Sequence, residues 1–567
     1  MSQVIWKVKD CDEPAAVRLH EQTGASPAVC KLLVSRGVKT GSDYDSFMNP
    51  SLSQMHDPYL LADMEEGVER LADAIVSGEK ICVHGDYDVD GITSTALLVR
   101  TLRALKANVD YLLPHRQKDG YDIKPFAIDA AAQRGCSLVV SCDCGINAVS
   151  TAERARELGI DLIITDHHDP GAQLPDAAAV INPKRPDSQY PFTGLAGVGV
   201  ALKLAQGLVR LLGHDDESFV SRFVDLAALG TVADVVPLLD ENRTIVKLGL
   251  DAIATSKKVG LRTMLRTTGL EGKTMTAHYL AYILGPRINA VGRMDDAAAA
   301  LQLLLTKDDK EASELASAME RHNSNRKVEQ EKILEQTNVQ FADRDLASSR
   351  ILVLSSDGWN PGVIGIVAGK ICETYCCPAI LIARDESSGM GVGSARSIDA
   401  FHMRDALAQC SDLFTHFGGH ALAAGFTIPL ENIAPFEDRI GTLARESISD
   451  EAMVPRIDID TQLAPEDINR NLADMLMCME PFGEGNPEPV FMTTGLKVTH
   501  KQRVGDGSHL KLKVQGKNGP AIECIAFRMG DLCDGLELGG SIDMCYHVKL
   551  NKFNGTESVQ LVCKAIR

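Results

Sequence analysis

The segment His84-Gly85-Asp86-Tyr87-Asp88-Val89-Asp90-Gly91 sets one histidine and three aspartates within seven residues, directly after the apolar run Ile81-Cys82-Val83. Carboxylates packed this closely repel one another, and a hard or borderline cation removes the repulsion. An acidic turn accounts for one or two of these aspartates. It does not account for two further clusters, Cys142-Asp143-Cys144-Gly145 and Asp166-His167-His168, which also follow apolar, strand-like runs. Three such clusters imply phosphoester chemistry on two metal ions. A fourth acid, Asp234, stands alone in the apolar stretch from Leu226 to Leu238, where an unpaired carboxylate is costly unless it is bonded or ligates a metal.

Elements must bring these clusters together. From Lys80 to about Val200 short apolar runs alternate with helical segments, the pattern of an α/β domain with a parallel sheet covered on both faces. The runs Lys80–Val83, Val109–Leu113, Ser137–Ser141 and Asp161–Thr165 read as strands. In such sheets ligands lie beyond the carboxyl ends of the strands, so the three clusters should meet at one rim.

The 567 residues suggest about three to four domains. Residues 1–75 read as a helical segment without legible chemistry, and 76–306 as the domain of the clusters. Residues 307–347 read as one long polar helix of about 55 Å, suited to joining two lobes. A smaller α/β unit occupies 348–448. After residue 449 five β-type runs (Val490–Thr493, Leu510–Val514, Ile522–Phe527, Tyr546–Leu550, Val559–Cys563) suggest a small barrel, an OB-fold.

No apolar run is long enough to span a bilayer, and the first dozen residues are too charged for a signal peptide. Fifteen cysteines without paired zinc-type spacing read as reduced thiols of a cytoplasmic protein. The net charge of −19 argues against a polyanion partner. The charge is segregated, however. Ser256–Arg293 holds seven Lys or Arg and one acid, and Lys497–Lys517 holds six and one, as expected of a protein that binds a polyanion in a groove. Two solvated faces are the plainer alternative.

The spacing His84-x3-Asp88-x-Asp90, followed by Asp143, Asp166-His167-His168 and Asp234, resembles the DHH phosphoesterase superfamily. The smaller α/β unit resembles the DHHA1 domain that accompanies it, through Trp359-Asn-Pro-Gly362-Val-Ile-Gly365, Gly393-Ser-Ala-Arg396-Ser and Gly418-Gly-His420. The β module, opening with Pro481-Phe-Gly-Glu-Gly-Asn-Pro-Glu-Pro489, extends the likeness to the superfamily's bacterial single-strand-specific 5′→3′ DNA exonucleases. Asn360 stands where that motif carries His, so no role needing a ring nitrogen is expected there.

The resemblance implies one metal held by His84, Asp88 and Asp143. The other is held by Asp90, Asp143, His167 and Asp234, with Asp143 bridging. Oxygen-rich ligation with one or two imidazoles suits Mn²⁺, with Mg²⁺ as the alternative. Such ions, ~3.5–4 Å apart, activate a water and offset phosphate charge in an in-line displacement. His168 is the candidate to orient or protonate near the leaving oxygen, or else a hydrogen-bond partner of Asp166. Asp166 reads as an orienter of imidazole rather than a ligand. Asp86 is left between a supporting acid and a solvated one.

For substrate, Arg116, Ser394 and Arg396 resemble contacts to a 5′-phosphate, which an Arg fork matches well. Arg287 resembles a grip on the strand backbone. Gly418, Gly419 and His420 resemble a close approach to the nucleotide, or form a tight turn. Lys497, Lys501, Arg503, Lys511 and Lys513 resemble a groove along single-stranded DNA, while Phe491, Tyr546 and Phe553 either stack on bases or lie in the core. The family further implies a single-strand-binding protein and a helicase as partners, and a monomer is expected. Two other readings compete. A small-nucleotide phosphodiesterase of the superfamily is typically two-domain, which the long helix and the barrel count against. A non-catalytic replication scaffold would have lost metal ligands that are all present here.

Overall fold

A computed structural model of the protein describes residues 4–115, 120, 122–294, 297–342, 346–517, 519–553 and 555–567. Arg116 lies outside the described residues. The chain divides into two compact units: 6–289, 297–316 and 458–567 form one, and the other centres on 317–457.

In the first unit, strands β1 (Lys80–Gly85), β2 (Asn108–Leu112), β3 (Leu138–Cys142), β4 (Asp161–Thr165) and β5 (Ala179–Ile181) form a wholly parallel sheet. Their order is β2-β1-β3-β4-β5. Strand β3 is fully buried, and β1 and β4 are buried beyond their first residue, so near-continuous apolar runs replace alternation. The chain leaves β1 toward β2 and returns on its other side as β3, which makes the β1/β3 gap the topological switch point.

The register does the rest. Gly85 pairs with Cys142, Cys142 with Thr165 and Thr165 with Ile181. The strands therefore end level, and the next residues (Asp86, Asp143, Asp166 and Asn182) emerge side by side. Helices α1 (Val89–Ala104), α2 (Gly197–Leu211) and α3 (Asp216–Ala233) pack against one another, and α1 is buried almost all round. Helix α4 (Asp240–Ala254) packs on α3.

The same unit contains a closed barrel of β11 (Phe491–Val504), β12 (His509–Gln515), β13 (Ile522–Ala526), β14 (Ser541–Phe553) and β15 (Thr556–Ile566), the five runs expected from sequence. The cycle runs β11-β12-β13-β15-β14 and closes β14 onto β11, with β13 and β15 parallel. Its core is continuous with the amino-terminal helices: Leu19, Val29, Leu32 and Leu33 share one apolar cluster with Leu496, Leu512 and Tyr546. The helix Met64–Val76 packs instead on β5 and α2, where a Cβ on Gly67 would stand 2.9 Å from Ile181. The amino-terminal 75 residues thus serve two cores.

Helix α5 (Asp309–Phe341, 33 residues, about 50 Å) starts in the first unit and continues into the second. The second unit holds β6 (Leu352–Asp357), β7 (Ala379–Asp385), β8 (Met390–Arg396), β9 (His416–Gly419) and β10 (Ala423–Pro429), ordered β9-β10-β8-β7-β6. Helix α6 (Pro361–Tyr375) covers one face. Asn360 is its N-cap, accepting from Gly362 N–H at 2.8 Å, a role that an amide side chain fills well.

All fifteen cysteines are free thiols. No helix among the described residues is long and apolar enough to cross a membrane.

Candidate active site

Asp88 caps α1, its Oδ1 accepting from the N–H groups of Asp90 (2.9 Å) and Gly91 (3.1 Å). Asn289 adds a second cap from another helix, its Oδ1 accepting from Val89 N–H at 3.2 Å. Asp90 points into the core. Its Oδ2 accepts from Gly197 N–H (2.6 Å) and its Oδ1 from Val198 N–H (2.9 Å), so the start of α2 clasps both oxygens. Two glycines allow this approach. A Cβ on Gly197 would lie 2.6 Å from Asp143 Oδ1, and one on Gly230 2.8 Å from Asp90 Oδ1. Asp143 itself has φ +62°, a left-handed conformation that Asp tolerates better than most residues.

Side chains from α1, β3, β4 and α3 then converge. His167 Nε2 lies 3.2 Å from Asp143 Oδ1, 3.5 Å from Asp234 Oδ2 and 4.0 Å from Asp90 Oδ2. Three overlapping sets could each hold a cation: Asp86/Asp88/Asp143, Asp90/His167/Asp234 and Asp143/His167/His168. Asp143 Oδ1 and His167 Nε2 are buried and lack a hydrogen-bond partner among the described residues. An orphaned carboxylate oxygen facing an orphaned imidazole nitrogen fits a divalent cation ligated by both.

The electrostatics agree. Burial, with the charges of Asp90 and Asp88, holds the Asp143 carboxyl well above its ordinary range. Burial and Asp88 push Asp90 up to about 7, and burial with Asp90 and Asp88 pushes Asp234 up to about 9. Burial, then the His168 charge, lowers His167 to about 3, leaving a neutral imidazole suited to ligation.

Asp166 behaves differently. Burial alone would raise it, but it is overturned by the bond and charge of the His168 ring (Nδ1 to Oδ1, 2.7 Å), the Ile146 N–H (2.9 Å) and the His167 charge, so the carboxyl sits below its usual range. Burial works to lower His168, and the Asp166 bond and charge reverse this, leaving the ring raised. Asp166 therefore orients His168, and not the ring of the proposed ligand His167.

Other expected residues are distributed as follows. Buried His84, at the end of β1, turns Nδ1 to within 3.8 Å of Cys144 Sγ and stands outside the three convergent sets, whereas Asp86 belongs to one. Arg287 Nη1 donates to Ile283 O (2.7 Å), a carbonyl of the π-helical stretch Leu280–Leu284, which packs on α3. In the second unit, pairings Gly418–Gly425 and Gly425–Ser394 place these residues in one row across three strands. Ser394 and Arg396 lie on one side of β8, against a glycine of α6: a Cβ on Gly365 would stand 2.7 Å from Ser394 Oγ. Arg396 Nη1 bonds Ser394 Oγ (3.3 Å) and Ala395 O (2.8 Å). Gly419 has φ +142° and no room for a Cβ, and His420 N–H closes the hairpin onto Ala423 O (2.8 Å).

Sequence reasoning missed the support of Asp234. The loop after it carries Leu238, whose N–H donates to Glu484 O at 2.8 Å, inside the Pro481–Pro489 motif. Gly485, at φ +70°, leaves room for Pro237 and Leu239. Arg243 of α4 donates to the carbonyls of Phe47 (2.9 Å), Met479 (3.0 Å) and Glu480 (3.2 Å). The signal was present in the glycine spacing of that motif, but nothing local says which loop it meets.

The DHH family, N-terminal domain matches residues 80–231, the DHHA1 domain residues 348–446 and the RecJ OB domain residues 459–565. The chain is 36% identical to the single-stranded-DNA-specific exonuclease RecJ of Bacillus subtilis, over 99% of this chain and 71% of that protein. It is 35% identical to that of Escherichia coli, over 94% and 95%. The crystal structure of RecJ in complex with Mn²⁺ from Thermus thermophilus superposes with a TM-score of 0.85 at 31% identity, over 100% of this chain and 79% of that one. Its Mg²⁺ complex gives 0.79 at 29%, over 100% and 78%. With the strand-end carboxylates, the DHHA1 sheet and the closed barrel in one order, the chain belongs to the RecJ family.

Proposed function

We propose that this chain is a single-stranded-DNA-specific exonuclease that works 5′→3′, releasing 5′-mononucleotides by two-metal hydrolysis in DNA repair and recombination. The observation that carries this is the pair of orphaned buried atoms, Asp143 Oδ1 and His167 Nε2, amid Asp86, Asp88, Asp90 and Asp234.

In this reading Asp90, His167 and Asp234 hold one divalent cation, Mn²⁺ or Mg²⁺. Asp88 and Asp143 hold the other, with Asp143 shared between them. Asp86 is the better-placed third ligand of that second set, since it converges with Asp88 and Asp143 and His84 does not. Bound there, the cations would supply a lowered pKa for an attacking water and positive charge against the phosphate. Asp166 holds the Nδ1–H of His168 and favours the imidazolium, whose Nε2–H would be the proton offered to a leaving oxygen. The clasp of Gly197 and Val198 on Asp90 keeps that ligand aimed without the help of solvent.

Arg116, Ser394 and Arg396 read the 5′-terminal phosphate, Arg287 grips the strand backbone, and Gly418, Gly419 and His420 allow a close approach to the nucleotide. The chain acts as a monomer in the cytoplasm, and a single-strand-binding protein and a helicase supply its substrate. Digestion of end-labelled single-stranded, duplex and tailed DNA, with Mn²⁺, Mg²⁺ or EDTA, tests the proposal. Stepwise shortening from the 5′ end of single strands, abolished by EDTA, is expected. Metal-independent cutting or shortening from the 3′ end would sink it.

A further inference from the structure

A cavity of about 560 Å³ opens on the first unit between the carboxyl-terminal end of α1 and the start of α3. Asp88 to Asp90 stand at the opposite end of α1, whose 16 residues extend for about 24 Å, so the cavity is separate from the metal centre. Its walls combine two kinds of group. Arg100, Arg103, Arg222 and Lys307 line it with one acid, Asp215, in a chain whose net charge is −19. Phe219 and Phe223 form an aromatic wall, with ring centroids 4.9 Å apart, and Phe219 remains half-exposed.

Among the described residues, three of the four cations here have no ion-pair partner. Arg103, Arg222 and Lys307 are exposed and form no ion pair or side-chain hydrogen bond among the described residues. Arg100 spends Nη1 on the carbonyls of Leu304 (2.8 Å) and Leu305 (3.4 Å). Burial lowers Arg100; the attraction of Asp225 opposes this, and the smaller repulsion from Arg103 adds to it. Asp225 is bonded to Lys258 at 2.8 Å, and it pairs with none of Arg103, Arg222 and Lys307. Elsewhere on this chain arginines mostly meet carboxylates, as Arg70, Arg154, Arg185 and Arg210 do. Like charges gathered around a concavity destabilise the fold slightly unless an anion joins them.

We propose that this cavity binds a nucleoside phosphate, with the phosphate on Arg103, Arg222 and Lys307 and the base against Phe219. Guanidinium forks match phosphate oxygens, an aromatic face accepts any base, and the volume is that of a small-molecule site rather than a strand-tracking groove. The released mononucleotide has this chemistry, so the cavity would sense product. The site stands independently of the metal assignment.

The test is calorimetric titration of deoxyadenosine monophosphate into the full chain in EDTA, which removes cations from the catalytic centre. Binding of one equivalent is expected. Arg103→Glu combined with Arg222→Glu should weaken it by about tenfold or more, since bonds to a charged group are lost. Hydrolysis of single strands with Mn²⁺ should stay within about twofold of wild type. Phe219→Ala, which leaves the charges in place, should weaken the nucleotide and not inorganic phosphate. Absence of binding at millimolar nucleotide, or an unchanged affinity in both variants, would overturn the proposal. Phosphate alone binding as tightly as the nucleotide would do so too. Loss of single-strand affinity in the charge-reversed variant would make the cavity part of the DNA path instead.

Discussion

The metal centre and the basic face of the barrel were both legible as charge clusters, yet they carry charge in opposite ways. At the metal centre, buried carboxylates crowd one another, and Asp143 Oδ1 and His167 Nε2 are left without hydrogen bonds. On the barrel most of the expected strand-binding cations are already engaged. Lys501 donates to the carbonyls of Cys533 (2.7 Å) and Leu536 (2.6 Å), and Arg503 pairs with Asp534 (2.7 Å). Lys511 and Lys513 share Glu523 at 3.4 and 3.5 Å. Phe491 and Tyr546, considered as stacking rings, are wholly buried in the barrel core, and the Tyr546 hydroxyl bonds Thr493 Oγ1 (2.6 Å). A site awaiting a ligand is recognised by charges its fold leaves unsatisfied; a cluster that satisfies itself belongs to the architecture.

The largest expected effect breaks the comparison at its centre. Asp143→Ala should reduce hydrolysis to below about a hundredth of wild type while single-strand binding persists, because both cation sets lose a shared ligand. Retained turnover in a gel assay would remove Asp143 from the bridge.

Next comes removal of the barrel. Reading residues 449–567 as a separable strand-tracking module predicts a truncated enzyme with normal chemistry on short oligonucleotides. The structure argues otherwise. The barrel core is shared with the helices of residues 13–48, and the Pro481–Pro489 motif props the loop of Asp234. Truncation should therefore abolish soluble folding. Gly485→Ala, which places a Cβ at φ +70° and 3.1 Å from Pro237, should cost about 1–2 kcal/mol and raise the Mn²⁺ concentration needed for half-maximal activity. An unchanged metal requirement would disconnect the motif from the site.

Arg396→Ala should slow digestion of 5′-phosphorylated strands about ten- to a hundredfold more than 5′-hydroxyl strands. Equal losses on the two substrates would reassign Arg396 to the packing of β8 against α6.

The pH dependence sharpens the contrast in charge. Asp90 is raised from 3.8 to about 7 in the folded, metal-free protein, so between these values the folded state binds the extra proton. Stability must then fall as pH rises through that window. Cation binding displaces the proton, so Mn²⁺ should stabilise more at pH 8 than at pH 5, with proton release measurable in weak buffer. A melting temperature of the metal-free protein that climbs from pH 5 to 8 would contradict this.

The smallest effect belongs to the barrel. Lys511→Ala and Lys513→Ala should each change the log–log salt slope of single-strand binding by less than the ~0.7 of a full phosphate contact, because Glu523 already holds them. Lys497, which has no ion pair among the described residues, should come closer to that value. A full 0.7 for Lys511 would show that DNA displaces Glu523.

The sequence by itself determined which residue types recur after which strands, because burial on both faces imposes unbroken apolar runs and each run ends at a cluster. It also determined the five barrel strands, whose alternation needs no knowledge of neighbours. What only the tertiary structure decided is pairing. Level strand ends set Asp86, Asp143 and Asp166 side by side, and this follows from register between segments 23 to 57 residues apart. The ring that Asp166 orients, the glycines that admit Asp90 to the start of α2, and the motif that supports Asp234 are contacts between distant segments. Local spacing carries no information about them, because long-range packing alone selects which glycine faces which carboxylate and which lysine finds an acid.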